Sequence, residues 1–280
     1  MAGILYIVAT PIGNLEDLTF RALRILKEVD LIAAEDTRHS RKLLEHYGVR
    51  TALTSYHEHN EKSKAQKLVE RMQSGERVAL ISDAGTPLLS DPGHRLVQEA
   101  IRAGIPVCPV PGPSALLAAL SASGLPVESF AFEGFLPAKK RERREKLQSL
   151  SSEARTLVFY ETPHRLKESL ADIHGILGER EMVLAREISK WHEEFLRGSV
   201  GGVINQLADQ EVRGELTLVI SGATGETAAG ENLVLAEIRK LKSDGMRVKD
   251  IAALLGEKYS LAKREVYRMI LQLENSKPDG

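Results

Sequence analysis

The sequence predicts an α/β protein: a largely parallel sheet with helices on both faces, then a second, mixed α/β domain, then a small helical module. Three observations carry this. Short apolar runs alternate with helical patterns through the first 125 residues or so, as repeated βα units require. Three of those runs end in turns rich in Gly and Pro, namely Thr10-Pro11-Ile12-Gly13-Asn14, Asp83-Ala84-Gly85-Thr86-Pro87 and Pro111-Gly112-Pro113-Ser114-Ala115. Past Gly124-Leu125-Pro126, strand patterns begin to follow one another without a helix between them.

In order, 4–9 reads as a strand, and Asp17 or Thr19 caps a helix that runs to 28. A strand at 31–34 precedes a helix at 40–47. A weaker strand at 51–55 precedes a polar helix at 61–74, which Gly75 ends. Then come a strand at 78–82, a helix at 93–103, a strand at 106–110 and a small-residue helix at 114–123. The hinge near 124–126 divides a first domain, 1–124, from a second, 125–221. The second holds strands at 130–135, 156–160, 182–186, 194–199 and 215–220, and helices at 139–150, 163–177 and 202–208. Residues 222–231, small, polar and glycine-rich, read as a flexible linker. Beyond it, 232–280 holds helices at 233–242, 248–255 and 261–273.

The 280 residues suffice for sizeable cores, and a net charge of −1 gives no global field to attract nucleic acid. The lone Cys108 sits in a strand pattern, so a disulfide framework is excluded and a thiolate zinc site is not expected. The chain opens straight into a strand and holds no apolar run of spanning length. The expectation is a cytoplasmic protein with no membrane role.

Ligands of open α/β sheets bind outside the carboxyl ends of the strands, so three adjacent turns point to one small-molecule crevice. The first turn is neither Gly-x-Gly-x-x-Gly nor a Walker loop, which points away from NAD and ATP. In the second turn, Asp83 is suited either to accept from a ribose or ammonium group or to fix the turn itself. Ser114 reads as a helix cap. Glu35-Asp36-Thr37-Arg38 lies at the crevice mouth, and His57 and His59 read as polar rim rather than a metal pair. The cluster 185–194 holds Glu187, Lys190, His192 and Trp191, the last expected to pack in a core. Arg165 suits a phosphate or an acidic partner. The charge run from Lys139 to Lys146 suits a solvated face or an RNA backbone. Residues 247–273 have helix-turn-helix spacing, with Lys263, Arg264 and Arg268 clustered on the second helix, opened by Ala262.

Taken together, Val8-Ala9-Thr10-Pro11-Ile12-Gly13-Asn14-Leu15, Ala34-Glu35-Asp36-Thr37-Arg38, Asp83-Ala84-Gly85-Thr86-Pro87, Pro111-Gly112-Pro113-Ser114-Ala115, Phe132-Glu133-Gly134-Phe135-Leu136-Pro137 and Glu161-Thr162-Pro163-His164-Arg165 resemble one family. It is the bacterial small-subunit (16S) ribosomal RNA cytidine-2′-O-methyltransferases, a branch of the tetrapyrrole-methylase superfamily. The resemblance covers the first 221 residues, and the tail resembles an appendage found in many members. It implies two α/β domains with S-adenosylmethionine in the cleft between them, a homodimer, and ribosomal RNA or the assembled small subunit as substrate.

By motif, the resemblance implies cofactor contacts at Pro11, Asp83, Gly85, Thr86, Leu88, Ser90, Ser114, Ala115 and Phe132, with Glu161 and Thr217 added. A 2′-hydroxyl needs a proton acceptor, for which Asp36, Glu187, Lys190 and His192 are candidates beside Arg38. Arg38 and Arg165 are candidate phosphate clamps, and Lys139, Lys140, Arg141, Lys263, Arg264 and Arg268 candidate RNA contacts. No metal is expected. Two other readings compete: a small-molecule methylase of the same fold, and a helix-turn-helix regulator whose α/β part senses a metabolite.

Overall fold

The computed structural model describes residues 3–208, 210–223, 225–259, 261 and 263–275. Among them, two five-stranded sheets follow one another along the chain. In the first, β1 (Ile4–Val8), β2 (Leu31–Ala34), β3 (Leu53–Ser55), β4 (Arg77–Ile81) and β5 (Val107–Val110) lie in the order β3-β2-β4-β1-β5. Every neighbouring pair is parallel, so all five carboxyl ends share one edge.

Helices α1 (Phe20–Glu28), α2 (Thr37–His46), α3 (Glu61–Gln73), α4 (His94–Arg102) and α5 (Ala115–Ser123) connect these strands and lead out of the last. Successive strand side chains point to opposite faces, and both faces are buried. Leu31, Ala33, Val78 and Leu80 meet Leu68 and Met72 of α3 and Leu96 of α4. Ile32, Ala34, Ala79 and Ile81 meet Ala22, Ile25 and Leu26 of α1 and Leu44 of α2. The apolar runs are therefore continuous rather than alternating, as a doubly covered parallel sheet requires. The Thr19 hydroxyl starts α1 by accepting from Ala22 N–H at 3.1 Å.

The second sheet holds β6 (Phe130–Phe135), β7 (Thr156–Glu161), β8 (Glu181–Arg186), β9 (Glu194–Ser199) and β10 (Leu216–Ile220), in the order β6-β7-β10-β8-β9. Only β6 and β7 pair in parallel; the other pairs are antiparallel. One face is covered by α6 (Lys140–Ser149), α7 (Pro163–Leu177) and α8 (Val200–Gln206), around Leu157, Phe159, Leu184 and Leu218. The other carries Val158, Val183, Ala185 and Val219, which pack on Leu116, Ala119 and Leu120 of α5. Helix α5 belongs to the first half in sequence yet covers the second sheet. Both halves thus fall into a single unit, which ends at 221 and leaves out 152–154.

Residues 152–154 and 222 onward make the second unit. Its helices α9 (Gly225–Ser243), α10 (Val248–Lys258) and α11 (Lys263–Asn275) enclose a core of Val234, Ile238, Ile251, Leu255, Val266 and Ile270. The expected linker over 222–231 is corrected: the chain is helical from Gly225. From there, good helix formers (Glu226, Ala228, Ala229, Glu231) outweigh Gly225 and Gly230. Ala262, expected to open the last helix, lies outside the described residues. Among the described residues no helix is long and apolar enough to cross a membrane.

Candidate functional site

The three Gly- and Pro-marked turns meet because β4, β1 and β5 are neighbours. Thr10 and Gly85 exchange backbone hydrogen bonds, 2.9 Å from Thr10 N–H and 3.0 Å from Gly85 N–H. The Thr10 hydroxyl donates to Ser82 C=O at 3.2 Å, and the Thr86 hydroxyl to Pro113 C=O at 3.1 Å. Gly85 stands at φ +79°, a conformation only glycine adopts without strain. Beyond it, Leu88 and Ser90 hold φ of 74° and 70° without being glycine. Such strain persists only where the surrounding structure imposes it and concentrates at ligand sites.

The second sheet closes the site from the opposite side. Gly134 lets the end of β6 approach the Ser90 loop, since a Cβ there would lie 3.2 Å from Ser90 Oγ. Tyr160 accepts a hydrogen bond from Leu116 N–H at 3.3 Å, and Phe132 packs edge-on against its ring at 4.9 Å. Between the halves lies a cleft of about 430 Å³. The first half lines it with Ile12, Glu35, the 83–86 turn, Leu89, Ser90, Asp91 and Ala115. The second adds Phe135, residues 160–163, Ile188 and residues 214–217. That volume is in the range of about 300–1,000 Å³ usual for small-molecule sites.

Negative charge gathers on the first-half wall. Burial pushes the Glu35 carboxyl above its usual 4.5, and the carboxylates of Asp91 and Asp83 add to the rise. Burial and Asp83 do the same to Asp91. Such a wall attracts a cation. Ser114 adds a buried hydroxyl beside Tyr160, behind the lining. On the other wall, Glu161 is saturated: its carboxylate accepts from Arg165 Nη2 at 2.8 Å, Thr162 N–H at 2.7 Å and Ser169 Oγ at 2.6 Å.

Of the cofactor residues expected from sequence, Asp83, Gly85, Thr86, Ser90, Ala115, Glu161 and Thr217 line the cleft. Pro11, Leu88, Ser114 and Phe132 stand behind the lining. Leu88 packs where Gly93 leaves room, and Phe132 supports Tyr160. Sequence reasoning placed Glu35 at the crevice mouth without giving it a role, and gave none to Asp91, Tyr160, Ile188 or Leu216; the available signal was their place at or beyond a strand's carboxyl end, except for Leu216, which opens β10.

The expected catalytic residues lie beside the lining rather than in it. Asp36 caps α2, and its backbone N–H donates to Asp83 Oδ1 at 3.0 Å. Hydrogen bonds from the Arg38 side chain and N–H hold its carboxyl down at about 2. Arg38 itself is exposed. Glu187, Lys190 and His192 occupy the turn joining β8 to β9. Burial raises the Glu187 carboxyl, but hydrogen bonds from Lys190 Nζ at 2.8 Å and Glu215 N–H at 2.9 Å outweigh it and lower the net value. Burial likewise opposes the charge on Lys190, and Glu187 with Glu215 prevails, so its pKa is raised. His192 is exposed.

Among the expected RNA contacts, Arg165 is turned inward onto Glu161. This is the acidic partner that the sequence offered beside a phosphate: Glu161 ends β7, and Arg165 stands in the first turn of α7, within reach of that buried carboxylate. Lys139, which caps α6, and Lys140 and Arg141 on it are exposed, with Lys139 and Arg141 paired to Glu142 and Glu145. Within the same run Arg143 is buried against Asp172. Lys263, Arg264 and Arg268 are exposed on α11. Trp191, expected in a core, is 95% exposed because it sits at the tip of the β8–β9 turn.

Residues 4–204 match the family model described as Tetrapyrrole (Corrin/Porphyrin) Methylases. The chain is 47% identical over 275 residues to Ribosomal RNA small subunit methyltransferase I of Synechocystis sp., covering 97% of this chain and 99% of that protein. To the protein of that name from Pseudomonas aeruginosa it is 49% identical over 277 residues, covering 97% and 98%. Among solved structures, it shares its fold with a cobalt precorrin-4 methyltransferase at a TM-score of 0.59 and 16% identity, over 78% of this chain and 94% of that one. A uroporphyrin-III-C-methyltransferase from Thermus thermophilus aligns at a TM-score of 0.53 and 23% identity, over 82% and 98%. Family model, full-length relatives and shared fold agree: the chain belongs to the tetrapyrrole methylase family, in the branch of the ribosomal RNA small subunit methyltransferase I proteins.

Proposed function

We propose that the chain transfers a methyl group from S-adenosylmethionine to the ribose 2′-hydroxyl of a cytidine in small-subunit (16S) ribosomal RNA. The observation that carries this is similarity along the whole chain to proteins named for ribosomal RNA methylation. The reading includes a homodimer working in the cytoplasm on the RNA or the assembled small subunit.

The cleft fits the cofactor. Glu35, Asp83 and Asp91 complement a cationic sulfonium and ammonium, and Ile12, Leu89, Tyr160, Ile188 and Leu216 supply apolar walls for a purine. Asp83, Gly85, Thr86, Ser90, Ala115 and Thr217 would hold it. When bound, the cofactor supplies a methyl group already activated on sulfur.

What remains for the protein is orientation and one proton. Glu35 is best suited to take the proton of the 2′-hydroxyl, because it lines the cleft and its raised pKa makes it a stronger base than an ordinary carboxylate. Asp36, held down by Arg38, is a weak base and instead braces Asp83 through its backbone. Lys190, kept cationic by two carboxylates, stands at the rim where an RNA phosphate would pass.

The test is incubation with labelled S-adenosylmethionine and small subunits lacking the modification. Label in the ribose of a cytidine supports the reading. Label only in a tetrapyrrole, or duplex DNA binding without turnover, overturns it.

A further inference from the structure

Beside the cleft lies a second depression of about 660 Å³, bordered by the turn after β1 and the turn between β8 and β9. The two hollows are continuous along the chain. Ile12 and Ile188 line the cleft, while the residues that follow them, Gly13 and Ser189, line the depression. Trp191, the chain's sole tryptophan, stands over it, 95% exposed. Leaving so large an aromatic surface in water forfeits its burial, so its position calls for a physical reason.

The turn that carries Trp191 is fixed. Lys190 bonds Glu187 at 2.8 Å and Glu215 at 3.2 Å. Ser189 N–H donates to Glu193 at 2.7 Å, and the Ser189 hydroxyl donates to Asp17 on the opposite half. Gly13 lies directly under the Lys190 stem, where a Cβ would come within 2.3 Å of Cγ. Glu187 and Ser189 hold left-handed φ of 51° and 70°. An exposed indole is thus held ready at the mouth of the cleft.

Its surroundings choose the occupant. Besides Leu15 and Trp191 itself, the side chains that line the depression are polar: Asn14, Glu16, His46, Ser189 and Lys190. A protein interface core gathers several apolar side chains, whereas one aromatic face ringed by donors and acceptors suits a flat heterocycle with polar edges. We propose that Trp191 is a stacking platform for a nucleobase flanking the nucleotide presented to the cleft. This rests on the reading of the substrate as RNA.

The experiment uses the full-length chain. A single-stranded RNA oligonucleotide containing cytidine should quench the emission of Trp191, which has no other tryptophan to mask it. Trp191→Ala should raise KM for unmodified small subunits roughly ten- to hundredfold, the worth of one base–aromatic stack, and leave S-adenosylmethionine affinity unchanged. Trp191→Phe should recover most of the loss. With wild-type transfer to RNA intact, an unaltered KM in Trp191→Ala or an unquenched emission overturns the subsite alone. A shift of Trp191→Ala to a smaller species in sedimentation, with emission dependent on protein concentration, assigns the patch to a second copy of the chain and overturns it too. Absence of wild-type transfer to RNA removes the substrate reading, and the subsite with it.

Discussion

Arg143 lies in the middle of a charge run, yet it is 1% exposed. Its Nε and Nη2 both reach Asp172 Oδ2 at 2.9 Å, and its Nη1 donates to Ala138 C=O at 3.2 Å. Asp172 is 4% exposed, and its other partner is Arg144 at 3.1 Å. In Arg143→Ala the carboxylate keeps only that half-exposed cation. Breaking a buried pair by removing one partner costs about 3–5 kcal/mol, out of a total stability of roughly 5–15 kcal/mol. Arg143→Met with Asp172→Leu removes both charges at similar volume and frees Arg144 to solvent. The double variant should recover to within about 2 kcal/mol of wild type, since apolar replacement of a buried pair is often neutral. Urea unfolding of wild type, Arg143→Met, Asp172→Leu and the double variant gives the coupling. If the double variant is as unstable as the sum of the singles, packing rather than charge pairing holds this site, and the argument fails.

Neighbours in the same run should behave oppositely. Lys140→Ala and Arg141→Ala lie on the exposed face of α6 and should change stability by less than about 0.5 kcal/mol. They should lower RNA affinity and flatten its salt dependence by about one unit of slope each; an unchanged slope removes them from the interface. Gly214→Ala puts a Cβ 2.3 Å from Glu187 Oε1 at a φ of +90°. It should cost about 1–3 kcal/mol and loosen Lys190, as thermal unfolding would register; an unaltered midpoint contradicts that packing. Glu35 and Asp91 have folded pKa values above their ordinary 4.5 and 3.8. The unliganded fold therefore gains stability as pH falls through the folded values toward the unfolded ones. A bound cation favours the ionised forms, so binding should weaken over that same acid range and release protons. Calorimetry in two buffers of different ionisation enthalpy reads the release, and proton uptake would refute the acidic wall.

Much of this was legible in the sequence because local rules and tertiary structure agree. The continuous apolar runs at 31–34 and 78–81 announce strands covered on both faces, and the Gly–Pro turns announce the edge where a ligand binds. The small-residue helix read over 114–123 is legible too, and α5 packs Leu116, Ala119 and Leu120 on the second sheet. What stayed hidden depends on partners far along the chain. Asp172, which draws Arg143 inward, lies 29 residues away. Tyr160 and Leu216 reach the cleft through the register of β7 and β10, in which Tyr160 faces Thr217 and Glu161 faces Leu216. Glu35 was overshadowed by Asp36, whose capping pattern is the stronger local signal but whose carboxylate Arg38 engages. Trp191 follows the habit of tryptophan only if its turn is in a core, and hairpin tips carry no such mark.

The central claim is that the turns after β1, β4 and β5 meet the ends of β6, β7 and β10 around one site for S-adenosylmethionine. A crystal structure of the protein soaked with that compound tests it most directly. The account predicts the ligand in the cleft beside Asp83, Thr86 and Ala115, with Glu35 open toward the substrate side. Ligand bound anywhere else, or a cleft left empty at saturating concentration, contradicts it.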